Sequence, residues 1–140
     1  MMQKRKKLKP ISVMLTLVIL VGVLLNIGAL ACNAVTPRWV SINAIELNMS
    51  FDGSNGNALG SASKQSTATS IEGTLTLYKL EDDDWVYMDE WYNSKTRGTL
   101  AVTGDFTCES GVTYKAVFVV TVYTGTTAET ETVEHIDVCP

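Results

Sequence analysis

Apolar and polar residues alternate along most of the chain after residue 37, which is the pattern of β-strands with one buried face. Strands of this kind are predicted at residues 38–51, 58–65, 71–80, 85–92, 98–108, 112–123 and 128–139. Clusters of Gly, Asn, Asp and Ser separate them, and no 3.6-residue periodicity in this part is long enough for a helix. In the first strand the alternation changes phase at Ala44 and Ile45, which predicts a bulge or a change of sheet.

Seven short antiparallel strands in about 100 residues predict an all-β fold, a two-sheet sandwich of the immunoglobulin or fibronectin type III kind. A closed barrel is the alternative. Tyr114 opens the sixth predicted strand after the sequence ESGV. This placement predicts a tyrosine corner, in which the hydroxyl forms a hydrogen bond back to the preceding loop.

The last predicted hairpin suggests a disulfide. A two-residue turn at residues 125–126 pairs Thr124 with Thr127 and places Val112 opposite Cys139. Cys108 lies four residues before Val112, at the same end of the sandwich, so a Cys108–Cys139 bridge is within reach. Closing a loop of about 30 residues stabilises a fold by about 3–4 kcal/mol in the chain-entropy model.

The chain begins with a basic cluster at residues 4–9, followed by an uncharged apolar run at residues 11–31. The small residues Ala29 and Ala31 at the end of this run match a secretory cleavage site. An uncleaved membrane anchor is the alternative, because a helix of about 21 residues can cross a hydrocarbon core. The basic flank would keep the N-terminus inside, so both interpretations place the domain outside the membrane.

Cys32 follows the apolar run directly, and the sequence ALAC resembles a bacterial lipobox. Cys32 is therefore either a lipidation site or simply the first mature residue. If it is lipidated, Cys108 and Cys139 remain as an even pair. The predicted organisation is a signal peptide or membrane anchor at residues 1–31, a linker at 32–37 and a sandwich domain at 38–140. The signal peptide or anchor is predicted to be an N-terminal hydrophobic helix.

Charge narrows the possible partners. From Cys32 onward the chain has six basic and all fifteen acidic residues, a net charge of −9. Phosphate backbones would repel such a surface, which argues against nucleic acid. The same charge disfavours electrostatic docking on anionic lipid, so contact with a membrane is expected only through the N-terminal segment.

Residues suited to catalysis or metal binding are few. His135 is the only histidine and lies within the last predicted strand, away from a nucleophile motif, so no catalytic residue is assigned and the protein is not expected to be an enzyme. The acidic turn at residues 81–84 is the one plausible calcium feature, but four consecutive side chains in a hairpin turn diverge. The segment 52–57 is predicted to be a turn. Neither a metal site nor a cofactor is predicted.

The aromatic residues of the fourth strand are the strongest candidate for a binding surface. Trp85, Tyr87 and Trp91 are predicted to share one face, with Met88 and Tyr92 on the other. Exposed, they would form a platform for sugar rings or for a protein partner. Buried, they would be core, which is favoured because a small sandwich needs large side chains facing inward.

Four segments of the chain carry a resemblance, namely the leader, the sequence PRWV at residues 37–40, the hairpin at 73–91 and the strand GVTYKAVFVVTVY at 111–123. They resemble an uncharacterised family of short exported β-sandwich proteins from clostridial and related Gram-positive bacteria. The resemblance implies a sandwich fold and an envelope or extracellular location, and it transfers no catalytic residue.

Two functions are consistent with this sequence. The favoured one is a secreted or surface-displayed interaction module, held by its leader, by a lipid or by a single-pass anchor, that binds a protein or a glycan of the cell wall. The alternative is a secreted toxin-like or bacteriocin-like effector.

Overall fold

A computed structural model describes residues 39–140, which form seven β-strands and no helix. In chain order the strands are β1 (Ile42–Asp52), β2 (Asn55–Lys64), β3 (Ser70–Glu81), β4 (Asp84–Lys95), β5 (Leu100–Thr107), β6 (Thr113–Thr124) and β7 (Thr127–Val138). The predicted hydrophobic helix, the cleavage region at Ala29 and Ala31, the linker and Cys32 lie outside the described residues. Within residues 39–140, no helix has the length and hydrophobicity needed to cross a membrane.

The strands form two antiparallel sheets. One sheet has three strands in the order β1-β2-β5, and the other has four in the order β4-β3-β6-β7. The predicted seven-stranded all-β arrangement in two sheets is confirmed. Pairing between β1 and β2 shifts at Asn43, one residue before the predicted phase change at Ala44. Pairing of these two strands extends to Asn55, so the segment predicted as a turn is reduced to Gly53 and Ser54.

Two hairpins of the four-stranded sheet have two-residue turns. Asp82 and Asp83 connect β3 to β4 with φ values of 49° and 70°, the left-handed conformation at both positions that type I′ turns require. Asp tolerates this conformation better than most residues. Gly125 and Thr126 connect β6 to β7, and Thr124 pairs with Thr127 as predicted. These turns set the registers of both outer hairpins of the four-stranded sheet.

The core lies between the sheets and is formed by alternate residues of their inner faces. In β6 these are Tyr114, Ala116, Phe118, Val120 and Val122, all buried. In β5 the alternation of Leu100, Val102 and Gly104 is buried as the sequence predicts.

Glycines in the strands make room for aromatic rings. A Cβ atom built on Gly60 of one sheet or on Gly73 of the other would lie 2.7 Å from the Phe118 ring. The ring therefore occupies space that any larger residue at these two positions would fill. Phe118 is completely buried and spans the gap between the two sheets.

Candidate binding face

The three aromatic residues predicted to share one face do not all lie on the same side of β4. Met88 has no partner in β3, because the register between the two strands shifts at this point. Such a β-bulge reverses the alternation of side chains. Trp85 and Tyr87 precede the bulge and point outward, whereas Trp91 follows it and points toward the other sheet. The predicted common face is therefore wrong for Trp91.

Trp91 packs against the core. It lies opposite the buried Leu75 of β3, and its indole contacts Gly104 of the other sheet. Tyr92, which was predicted to lie on the opposite face with Met88, points outward instead and joins Trp85 and Tyr87. The bulge thus exchanges one tryptophan for one tyrosine on the outer surface.

The outer surface of the four-stranded sheet is here called the aromatic face. Its defining residues are Tyr78, Trp85, Tyr87, Tyr92, Lys115 and Tyr123. Tyr87 is 57% exposed and Tyr92 is 61% exposed. Ile136 and Val138 of β7 extend the apolar surface across the sheet, and about half of each is exposed. Exposed apolar side chains gathered on one surface mark a binding site more often than scattered ones do.

One end of the aromatic face is a cluster around Lys115. The Lys115 ammonium lies 4.6 Å from the ring centroid of Trp85 and 5.1 Å from that of Tyr78. Both distances are within the range of a cation–π interaction. Tyr78 and Tyr87 meet edge to face with centroids 6.3 Å apart. Lys115 thereby fixes two rings, and Tyr87 remains the exposed ring of the cluster.

The other end of the aromatic face is the Glu72 cluster, formed by Glu72, Tyr92 and Tyr123. The Tyr123 hydroxyl donates to one carboxylate oxygen of Glu72 at 2.6 Å, and the Tyr92 hydroxyl donates to the other at 3.1 Å. The hydrogen bond to Glu72, followed by desolvation, raises the pKa of Tyr123 above its ordinary value. The carboxylate is therefore fixed by one donor on each of its oxygens.

A shallow surface cavity of about 530 Å³ lies beside the Glu72 cluster. Glu72 and Tyr92 line it together with residues at the start of β3 and at and just after the end of β4, namely Ser70, Ile71, Ser94, Lys95, Thr96 and Arg97. The cavity therefore combines an exposed aromatic ring, a fixed carboxylate, hydroxyl groups and two cations.

Three of the five described basic residues lie on or beside the aromatic face. The described part of the chain has five basic residues, Lys64, Lys79, Lys95, Arg97 and Lys115, against fifteen acidic ones. Lys115 lies on the aromatic face, and Lys95 and Arg97 line the adjoining cavity. Within residues 39–140, neither Lys95 nor Arg97 forms an ion pair. These cations are therefore free to meet an anionic ligand on an otherwise acidic domain.

A disulfide and a tyrosine corner fasten the end of the sandwich where β6 begins. Cys108 and Cys139 are joined as predicted, across a sequence separation of 31 residues. The buried Tyr114 accepts a hydrogen bond from the Glu109 amide at 2.9 Å, which confirms the predicted corner. Glu109 also pairs with Lys79 at 2.8 Å, and its hydrogen bond raises the pKa of Lys79.

His135 and the acidic turn lie apart from the aromatic face. His135 is in β7 opposite Ala116, on the side of the strand that faces the other sheet. The side chains at residues 81–84 are solvent-exposed. Among residues 39–140, the structure assembles no group of three or more His, Cys, Asp or Glu side chains that could hold a metal ion.

The sequence interpretation missed Glu72 and three of the six residues that define the aromatic face, namely Tyr78, Lys115 and Tyr123. A usable pattern was present in β3 and β6, where these residues occupy the positions between the buried ones. Assigning both strands to one sheet would have placed them on a common outer surface. The bulge at Met88 has no comparable pattern in the sequence.

The sequence matches no protein-family model, and no curated protein sequence matches it. Among solved structures, residues of this chain superpose on part of the β-glucuronidase of Parabacteroides merdae with a TM-score of 0.44 and 16% identity. The match covers 71% of this chain and 14% of the glucuronidase chain. The superposed region is a small part of the glucuronidase chain, and likeness at this level indicates neither a shared family nor a shared activity.

Proposed function

We propose that this protein is an exported, non-enzymatic binding module of the bacterial cell envelope or extracellular space, with its ligand held on the aromatic face. The observation that carries the proposal is the alignment of Trp85, Tyr87 and Tyr92 on one outer surface by the bulge at Met88. Aromatic side chains that are both rigid and exposed are the usual anchors of glycan and protein ligands. The proposed fold is of the immunoglobulin or fibronectin type III kind, which the packing of seven antiparallel strands into two sheets supports.

Export is supported by the Cys108–Cys139 disulfide, because such bonds persist in oxidising compartments. The basic and apolar leader at residues 4–31 supports the same location. The non-enzymatic part of the proposal is supported by the two described cysteines, which are joined to each other, and by the placement of His135 within β7.

The rigidity of the Lys115 cluster also favours binding. Lys115 lies against the rings of Trp85 and Tyr78, so these side chains have little rotamer freedom left to lose when a ligand arrives. Because fewer side chains have to be ordered when the ligand binds, more of the contact energy contributes to affinity. Tyr87 is the side chain of this cluster most exposed to a ligand.

The test is retention of the exported protein on purified cell walls of its host, measured by co-sedimentation at increasing protein concentration. We expect saturable binding that Tyr87→Ala weakens by about tenfold or more, the size expected when a binding anchor is truncated. Leu59→Ala is the matched control, because Leu59 is an exposed apolar residue on the outer surface of the other sheet. Equal retention of the wild-type protein and Tyr87→Ala would contradict the proposal.

A further inference from the structure

The Glu72 cluster leaves specific hydrogen-bonding capacity unused. An ionised carboxylate offers about four acceptor positions. Tyr92 and Tyr123 each occupy one position on a different oxygen of Glu72, so two positions remain free. These free positions belong to a carboxylate that the two tyrosines already orient, at the wall of the 530 Å³ cavity.

The remaining groups of the cavity fit a sugar. A pyranose ring presents an apolar C–H surface and a set of hydroxyl groups, so it needs an aromatic ring to lie on and acceptors for its hydroxyl protons. Tyr92 supplies the aromatic ring, and 61% of the surface of this residue is exposed. Glu72 supplies charge-assisted acceptors, and Ser94 supplies a hydroxyl that can donate or accept.

The basic residues of the cavity favour a ligand that has a negative charge. Lys95 and Arg97 line the same cavity and form no ion pair within the described chain. Lys95 and Arg97 give this cavity two cations against the single carboxylate of Glu72, on a domain that is otherwise acidic. A neutral sugar would form no ion pair with these cations, whereas a carboxylate or phosphate on the sugar would form one.

We propose that the Glu72 cluster is a saccharide subsite that holds one sugar ring with a negatively charged substituent. The ring lies on Tyr92, its hydroxyl groups donate to Glu72, and the anionic substituent meets Lys95 and Arg97. This inference rests on the proposed function and narrows it from a general binding face to a subsite for acidic glycan.

Isothermal titration calorimetry of the exported protein tests the subsite with three probes. The probes are hexagalacturonate, which has a carboxylate on each ring, purified wall teichoic acid, which has phosphate, and neutral cellohexaose. We expect one of the two anionic probes to bind at least about fivefold more tightly than cellohexaose, and the one that does identifies the source of the negative charge. Similar affinity for all three would overturn the inference.

Variants separate the roles of the groups. Glu72→Gln and Tyr92→Ala should each weaken binding of the preferred probe about tenfold, because they remove the acceptor charge and the stacking surface. Arg97→Gln should reduce the preference for the anionic probe over cellohexaose while leaving cellohexaose binding nearly unchanged. Asp105→Asn is the control, since Asp105 lines a cavity of about 480 Å³ on the other sheet.

The outcome for the subsite is distinguishable from the outcome for the proposed function. If wall retention depends on Tyr87 but not on Glu72 or Tyr92, the binding module stands and the saccharide subsite is wrong. If the wild-type protein neither sediments with walls nor binds a probe, both are wrong. Circular dichroism of each variant identifies any loss of binding that comes from unfolding.

Discussion

The indole of Trp91 packs directly on the backbone of Gly104 in the opposite sheet. A Cβ atom built on Gly104 would lie 2.2 Å from the nearest atom of the indole, far inside the contact distance of two carbons. Glycine at this position is therefore what lets Trp91 turn inward after the bulge at Met88. The contact links the β4 edge of one sheet to the β5 edge of the other.

Gly104→Ala should destabilise the domain by about 1–3 kcal/mol, because the added methyl group must displace the Trp91 ring or shift the backbone of β5. Urea unfolding followed by circular dichroism measures this change. Ala101→Ser, at an exposed position of the same strand, is the control and should change stability by less than about 0.5 kcal/mol. Equal midpoints for the two variants would show that Trp91 has room to move.

Tyr114→Phe tests the tyrosine corner. The variant keeps the buried ring and removes only the hydroxyl that accepts from the Glu109 amide. We expect a loss of about 1–2 kcal/mol of unfolding free energy, since the amide loses its partner at a partly buried position. Thermal unfolding measures this loss. Tyr87→Phe is the control, because it removes the same hydroxyl from a ring that is exposed on the aromatic face. Similar melting temperatures would mean that the hydroxyl contributes nothing measurable.

The disulfide was predictable because the β6–β7 hairpin has a two-residue turn. Once residues 125–126 form the turn, every pair in the hairpin follows, including the approach of Cys139 to Val112. The Cys139 amide donates to the Val112 carbonyl at 3.0 Å, as the register requires. Local turn chemistry thus determined a long-range contact, the bridge to Cys108.

The aromatic face could not be predicted in the same way. Its composition depends on whether β4 keeps a strict alternation from Trp85 to Trp91, and the unpaired Met88 breaks it. The bulge is stable because Trp91 then packs against Gly104, which belongs to β5 of the other sheet. A preference that arises from packing between sheets leaves no periodic pattern in β4 itself.

The Cys108–Cys139 disulfide should supply about 3.5–4 kcal/mol of stability in the chain-entropy model for its separation of 31 residues. The Cys108→Ala/Cys139→Ala double variant should therefore unfold at clearly lower urea concentration than the oxidised protein. Intact mass before and after reduction should differ by two hydrogen atoms. Cys32→Ser is the control and should leave that difference unchanged. A mass unaffected by reductant would contradict the bridge.

Glu129 should make the start of β1 sensitive to acid. Its carboxylate accepts hydrogen bonds from the backbone amides of Val40, Ser41 and Ile42, at 3.0 Å from Val40 and 3.3 Å from Ile42. Burial alone would raise the pKa of Glu129, but the three amides outweigh it and hold the pKa below its ordinary value. The ionised carboxylate thus fastens the chain at the beginning of the sandwich to β7.

A lowered pKa in the folded state gives stability that is fully present above the pKa of the unfolded chain and is lost as the pH falls through the folded value. Glu129→Gln should therefore lower the unfolding free energy at pH 7 by about 1.5 kcal/mol and flatten its decline in acid. Glu131→Gln is the matched control, two residues along the same face of β7. Urea titrations from pH 7 to acid measure both variants. If Glu129→Gln retains the full acid dependence of the wild-type protein, another carboxylate is responsible for it.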